Sequence, residues 1–532
     1  MSRNSKKNDS VLPARWADAL FDRRSLYSGA IFALAYAAGM PGYGAPILPF
    51  VCIAPFLDLS VRSPSARVAA WRGGLAGTVA SLPLYYWVSH TIAVEGKMGQ
   101  PLGALVALLL SSYLGVYLSA AAAGAQRLRH RFGDAGLWIF PFYWTGLELL
   151  RTYIFSGFPW MFLGYALSNN EPLRQAADLA GVYGLSFLLA LSGTSVYMAG
   201  KSWSEGALGQ AMRRAGPALA TVLFLLLYGL NAARQGQEQT SDTMLRVGIA
   251  QGGIDQSVKW NPSNQLETLR IYEELTRKAH DAGAKLIVWP ETAAPFFYGW
   301  EKELTQELDR IAVEAEAPLI FGAPWFDPEN GGRFYNSVFF LDAAGVPAGR
   351  YDKRRLVPFG EYIPLRSFLF FLNKLTKGSP EDFSTGKTPS MFPVNGILVS
   401  SSVCYEATYP MLIRDEVLAG ANVLVNVTND AWFGDTVAPH QHLAMARIRS
   451  VEMRRPMLRA ANSGISALID SHGRITASEG LFKKGIVVGE VRPEIKRTFY
   501  AKTGDLFSIS CIIISLFALL TPMRGRNGFR TF

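Results

Sequence analysis

Cysteine is scarce, with three in 532 residues. Two of them, Cys52 and Cys511, stand inside long apolar runs, where a thiol behaves as a small hydrophobe. Three scattered cysteines build no disulfide framework and offer no C-x2-C spacing, so neither disulfides nor a cysteine-bound metal is expected. Charge is thin as well: Asp, Glu, Lys and Arg make up 18% of the chain, against roughly 25% in an average soluble domain. The net charge of +10 is carried by residues beside apolar runs and not in a stripe interleaved with aromatics, which argues against nucleic acid as a partner. Gly252-Gly253 and Gly331-Gly332 lack the spacing of a phosphate cradle and read as turns. His440-x-His442 suggests a metal, but no third ligand is indicated, and residues 437–454 give both histidines an ordinary helical home. No metal and no cofactor is expected.

What the two ends have in place of charge is apolar length. A bilayer core needs about 20 mostly apolar residues per helix, and seven candidates lie near 26–40, 43–59, 71–91, 102–124, 135–155, 179–200 and 216–233. Pro41, Gly42, Pro46, Pro49 and Pro55 interrupt the first two, which read either as full spans or as a tight hairpin. An eighth candidate covers 506–522. Alternate connections are basic: Arg3 to Arg24, then Arg62, Arg67 and Arg72, then Arg127, Arg129 and Arg131, then Lys201, Arg213 and Arg214, and finally Arg524, Arg526 and Arg530. Short cytoplasmic loops retain positive charge, so these connections are placed inside. The expected organisation is a basic cytoplasmic tail (1–24), a bundle of about seven helices (25–235), an external soluble domain (236–502), a closing span (503–523) and a basic cytoplasmic tail (524–532). The N-terminus is basic through residue 24 with no small-residue cleavage site after a lone apolar core, so the first span is expected to stay as an anchor. Glu148 and Arg151 stand near a helix end, where an interfacial and a functional role are both open.

Between the seventh and eighth spans, short β-branched runs alternate with helical ones. Strands are predicted over 245–251, 285–289, 319–322, 337–341, 397–403, 422–426 and 465–469, and helices over 262–282, 301–316, 407–419 and 437–454. This alternation indicates an α/β layered fold. Residues that follow the strands therefore matter most. After one comes Trp289-Pro290-Glu291, and after another Cys404-Tyr405-Glu406; Lys353 stands between them in a loop. A thiol attacks acyl groups as its thiolate, and a free pKa of about 8.5 leaves little of it ionised at neutral pH. Glu291 is a candidate proton acceptor and Lys353 a candidate stabiliser of thiolate and oxyanion. No histidine base stands in the sequence neighbourhood of these motifs.

These segments resemble the nitrilase superfamily, whose members use Glu, Lys and Cys on a four-layer α-β-β-α sandwich. More narrowly, Trp289-Pro290-Glu291-Thr292, the run from Lys353 to Tyr362 (KRRLVPFGEY) and Cys404-Tyr405-Glu406 look like the apolipoprotein N-acyltransferases, and the resemblance covers nearly the whole chain. It implies a monomeric bacterial inner-membrane enzyme with its catalytic domain facing the periplasm. It implies acyl transfer from a phospholipid, typically phosphatidylethanolamine, through a Cys404 thioester to the α-amine of a diacylglyceryl-cysteine on an apolipoprotein. Glu291 is implied as general base, and Lys353 with the Tyr405 N–H as oxyanion stabiliser. Glu361, Glu406 and Trp260 match supporting positions. Residues 363–375, with Phe368, Phe370 and Phe371, read either as an arm that dips into lipid or as an ordinary buried helix, and Trp432 as part of a loop lining the site. Two other readings are weighed: a membrane-tethered amidase with the same triad, and a transporter bundle carrying an inert binding module.

Overall fold

A computed structural model describes residues 22–238, 244–329, 331–362 and 382–521. Most of the two basic tails, and the proposed arm with Phe368, Phe370 and Phe371, lie outside the described residues.

The apolar runs become helices α1 (Arg23–Ala38), α2 (Ile53–Val61), α3 (Ala66–Tyr85), α4 (Gln100–Phe132), α5 (Phe140–Tyr153), α6 (Ala177–Ser204) and α7 (Leu208–Glu238). Side chains of Asp22 and Ser65 cap α1 and α3 by accepting from the Ser25 and Val68 N–H groups, which otherwise have no helical partner. The run expected over 43–59 does not form one helix. Its prolines divide it into a 3-10 turn, Leu48–Phe50, and the nine-residue α2, which together make a short apolar helical stretch, Leu48–Val61. Three stretches, Gln100–Ser156, Ala177–Ser204 and Leu208–Arg234, are long and apolar enough to cross. Leu109 and Val116 on α4 and Leu219 and Leu227 on α7 are exposed. Apolar faces of this kind are stable in lipid and costly in water.

The tightest helix contact runs along α3 and α4, where small residues let two backbones approach. A Cβ on Gly77 would lie 2.5 Å from the Leu118 Cβ, and one on Gly73 would lie 2.4 Å from the Ala122 Cβ. Gly77→Leu is therefore expected to destabilise the bundle by about 1–3 kcal/mol through overpacking. Thermal unfolding in detergent checks this, and an unchanged midpoint would mean that the two helices do not need the close approach.

The soluble domain holds two six-stranded sheets. The first runs β12-β1-β2-β3-β4-β5 and the second β11-β10-β9-β8-β7-β6. Strands β1 (Leu245–Gln251), β2 (Ile287–Val288), β3 (Leu319–Asp327), β4 (Arg333–Leu341) and β5 (Pro347–Asp352) precede β6 (Met391–Val394), β7 (Ile397–Val403), β8 (Val423–Thr428), β9 (Met457–Ala461), β10 (Ser466–Ile469), β11 (Ile475–Glu479) and β12 (Gly485–Val491). The strand expected over 285–289 is cut to two residues; Pro290 has no N–H to continue the ladder. Val247, Val288, Val338, Val399, Val425 and Leu458 form the core between the sheets. Helices α8 (Gln265–Asp281) and α9 (Lys302–Glu314) cover the first sheet, and α10 (Pro410–Leu418) and α11 (Ala438–Met453) cover the second. The result is the four-layer α-β-β-α sandwich. Met445, Ile448 and Val451 of α11 share one buried core with Tyr165 and Leu185 of the bundle. A short helix α12 (Phe499–Thr503) then leads into the closing helix α13 (Leu506–Leu520). The second sheet thus has the bundle as its floor.

Candidate active site

Strand ends deliver the reactive groups. β7 terminates at Val403, and Cys404 starts a 3-10 turn with φ of 50°, a left-handed conformation that an L-residue adopts only under constraint. Part of the constraint comes from Glu406. Its Oε2 accepts from the Val403 N–H (2.7 Å) and the Tyr351 hydroxyl (2.8 Å), and its Oε1 accepts from the N–H groups of Arg354 (2.6 Å) and Arg355 (2.9 Å). One buried carboxylate therefore ties the Cys404 turn to the loop that carries Lys353.

Glu291, Lys353 and Glu361 form a buried charged cluster around the Asn336 amide. Glu291 Oε1 accepts from Asn336 Nδ2 (2.8 Å) and Lys353 Nζ (3.4 Å), and its Oε2 accepts from the Asn429 N–H (2.9 Å). Glu361 Oε1 accepts from the same Asn336 amide and from Lys353 Nζ, both at 2.8 Å, and its Oε2 from the Val357 N–H. Burial works against the Lys353 ammonium, but Glu361 and Glu291 outweigh it and hold the lysine well above its ordinary range. Lys353 is thus a fixed cation. Burial pushes the Cys404 thiol up, Glu291 pushes it further and Lys353 opposes both. The resting cysteine is protonated, so its ionisation has to accompany attack and needs a group to take the proton.

The structure brings Glu291, Lys353, Cys404 and Glu361 into one region. The Tyr405 side chain points the other way, into the bundle, where its hydroxyl donates to the Gly157 carbonyl at 3.3 Å and its ring stacks on Trp160. Trp260 and Trp432 are half-exposed. The Trp432 carbonyl accepts from Thr91 Oγ1 of the bundle at 2.9 Å, which fastens that loop to the membrane part. Glu148 and Arg151 are buried: Glu148 accepts from Trp144 Nε1 and the Leu163 N–H, and Arg151 donates to the Trp160 carbonyl.

One sequence expectation needs correction. A histidine does stand beside the cysteine: His442 Nε2 lies 3.1 Å from the Cys404 carbonyl oxygen. Among the described residues, Cys404, Asp430 and His442 offer ligand atoms within 4.8 Å of one another, a set that leaves His440 out, so the His440-x-His442 pair gains no third ligand. A resident metal fits this set poorly, because His442 Nδ1 contacts Asp430 Oδ1 and the Arg459 guanidinium donates to Asp430 Oδ2 at 2.8 Å, where it would repel a second cation. Sequence proximity could not find these contacts, because α11 arrives from 38 residues beyond Cys404.

Lys259 was also missed. It is buried, and its Nζ donates to the Glu291 carbonyl (3.1 Å) and to Thr292 Oγ1 (2.7 Å). Burial, only partly offset by Glu291, lowers its pKa to about 8. The ammonium that braces the Glu291 loop is thus lost as pH rises through that value. A limb in kcat/KM falling by about tenfold above pH 8 is expected in the wild type and not in Lys259→Met. Stability moves oppositely. Between pH 8 and the ordinary lysine range the unfolded chain binds more protons at this position, so the wild-type-minus-variant stability difference rises with pH. A limb that persists in Lys259→Met would assign it to another group.

A nitrilase-type sandwich with a buried Cys-Glu-Lys cluster, built on an apolar helical bundle, defines the class: a membrane-seated carbon-nitrogen hydrolase relative. Residues 246–499 match the carbon-nitrogen hydrolase family, and residues 28–195 match the apolipoprotein N-acyltransferase N-terminal domain. Apolipoprotein N-acyltransferases of Geobacter metallireducens (37% identical, covering 92% of each chain) and Azotobacter vinelandii (34% identical, covering 88% of this chain and 90% of the relative) are among its relatives. The chain belongs to the apolipoprotein N-acyltransferase family, and it is an acyltransferase. Among solved structures, a carbon-nitrogen hydrolase from Helicobacter pylori G27 is 17% identical with a TM-score of 0.36, covering 47% of this chain and 89% of that one. An amidase from Nesterenkonia sp. is likewise 17% identical, with a TM-score of 0.34, covering 47% of this chain and 91% of that one.

Proposed function

We propose that the enzyme moves a fatty acyl chain from a membrane phospholipid to the N-terminal α-amine of a diacylglyceryl-cysteine on an apolipoprotein, by a two-step reaction through a Cys404 thioester. The observation that carries this reading is the seating of the nucleophile turn on the bundle: Tyr405 and Tyr409 belong to the bundle's own core. A nucleophile held there meets acyl esters at the lipid surface. In the first step the Cys404 proton passes to Glu291, Sγ attacks the ester carbonyl, and the C–O bond breaks. The lysophospholipid leaves with the proton that Glu291 returns. In the second step the amine attacks the thioester, Glu291 accepts its proton, and Cys404 leaves and is reprotonated. Lys353 and the Tyr405 N–H stabilise the oxyanion in both steps. Glu361 holds Lys353 in place, Trp260 has a supporting role, and Trp432 lines the approach.

Phosphatidylethanolamine is the donor in this reading. The protein is a monomer in the bacterial inner membrane, with about seven helices over 25–235 and one over 503–523, and with the catalytic domain of 236–502 in the periplasm. Alternating basic loops support that orientation.

Intact-protein mass spectrometry after incubation with phosphatidylethanolamine tests the chemistry. A gain of one fatty acyl group, discharged by a diacylated lipopeptide, is the expected result. An adduct that water discharges and the lipopeptide does not would move the assignment to a membrane-tethered hydrolase.

A further inference from the structure

The carbonyl of the nucleophile is unusually well held. Cys404 O lies 3.1 Å from His442 Nε2 and accepts from Asn426 Nδ2 at 3.4 Å, and both side chains are fully buried. A single arginine orients both. Arg459 Nη1 donates to Asn426 Oδ1 at 2.6 Å, which turns the Asn426 amide nitrogen toward Cys404. Arg459 Nη2 donates to Asp430 Oδ2 at 2.8 Å, and Asp430 Oδ1 receives Thr428 Oγ1 at 2.9 Å and faces His442 Nδ1 at 3.0 Å. The ring is thereby aimed at the cysteine from α11, across the end of β8. This network touches neither Glu291 nor Lys353, and the reaction described above gives it no task.

A peptide group is planar, and in the trans form its C=O and N–H point in opposite directions. No described peptide bond is cis. Holding the Cys404 carbonyl against α11 therefore directs the Tyr405 N–H, the other end of the same peptide, away from α11. We propose that His442, braced by Asp430 and Arg459, is a positioning residue that clamps the Cys404–Tyr405 peptide and so aims the Tyr405 N–H at the oxyanion. This rests on the reading of Cys404 as nucleophile and of the Tyr405 amide as oxyanion donor.

Both groups facing the ring are acceptors, so both bonds are made together only when the ring carries two protons. Burial and Arg459 outweigh Asp430 and the Cys404 carbonyl and hold the pKa of the ring below its ordinary value. The left-handed backbone of Cys404, which costs about 1–3 kcal/mol where it occurs at a non-glycine residue, is consistent with a turn kept in place by outside contacts.

Two reactions of the same thiol separate aiming from folding. Alkylation of Cys404 by iodoacetamide needs the thiolate but no oxyanion donor, whereas acylation by phosphatidylethanolamine needs both. In full-length His442→Leu, acyl-enzyme formation is expected to fall about a hundredfold, the size of effect seen when one oxyanion donor is lost. The alkylation rate should stay within about threefold of wild type on the same ground. His442→Gln, whose amide keeps a donor near the carbonyl, should recover about tenfold of the acylation loss, and it stands as the sole test if the leucine variant does not fold. Equal losses in both reactions would place His442 in support of the thiol or the fold and overturn the proposal. Unchanged acylation would overturn it too. If the wild type takes up no acyl group, the reading of Cys404 fails first, which is a different result from either.

Discussion

Cys404→Ser is expected to lose acyl-adduct formation by about a thousandfold or more, with the fold intact. A hydroxyl replaces a thiol of similar shape, so packing barely changes, and the difference lies in ionisation. Even the thiol, the most readily ionised of the neutral nucleophiles, is pushed up here by burial and by Glu291. A serine hydroxyl begins much further from ionisation and meets the same opposition. Cys404→Ala removes the nucleophile altogether and is expected to leave no adduct at all. Cys404→Gly separates activity from stability: it is equally inactive, yet it relieves the left-handed strain at φ 50° and should gain up to about 1 kcal/mol, less what the lost side chain contributed to packing. Adduct mass, turnover of a diacylated lipopeptide and thermal unfolding are measured side by side. A serine variant that kept a tenth or more of wild-type turnover would remove Cys404 from the nucleophile's place.

Much of this protein was legible because its loudest signals are local. Long apolar runs mark the helices, and Glu291 and Cys404 each follow a short β-branched run that did become a strand. What stayed hidden was hidden for physical reasons. β11 (ITASE) is half exposed and carries little apolar alternation, and β9 (MLRAA) contains Arg459, which reads as a surface residue and is in fact fully buried. Helix α11 has no polar face, because it lies between a sheet on one side and the bundle on the other. Gln441, His442, Arg449 and Glu452 are therefore all buried on a helix whose sequence looks soluble. Arg449 donates to Glu452 and Tyr165 there. Asn336, Asn429 and Lys259 reach the Glu291 loop from other elements, and no spacing rule links residues that only folding brings together.

Lys353→Met is expected to abolish turnover and to destabilise the protein, and the two effects have different owners. Lys353 Nζ lies between Glu291 and Glu361, at 3.4 and 2.8 Å. Removing one partner of a buried ionic cluster costs about 3–5 kcal/mol, because the charge left behind has neither water nor a counterion. Here two carboxylates would be left, sharing the Asn336 amide. Like charges so close raise the pKa of at least one of them. A carboxylate whose folded pKa is raised binds a proton more readily in the folded state. The variant's stability is therefore highest at low pH and is lost as pH rises through that folded value. Activity cannot be recovered by that route, since the oxyanion cation is gone and about a thousandfold of rate with it. Adding Glu361→Gln to Lys353→Met removes one of the two stranded charges and should restore much of the stability at neutral pH while turnover stays lost. Denaturation curves against pH for the single and double variants, with turnover at each pH, check this. If the double variant is no more stable than Lys353→Met, repulsion between Glu291 and Glu361 is not what unfolds it. If either variant turns over at more than a tenth of the wild-type rate, the Lys353 charge is not what stabilises the oxyanion.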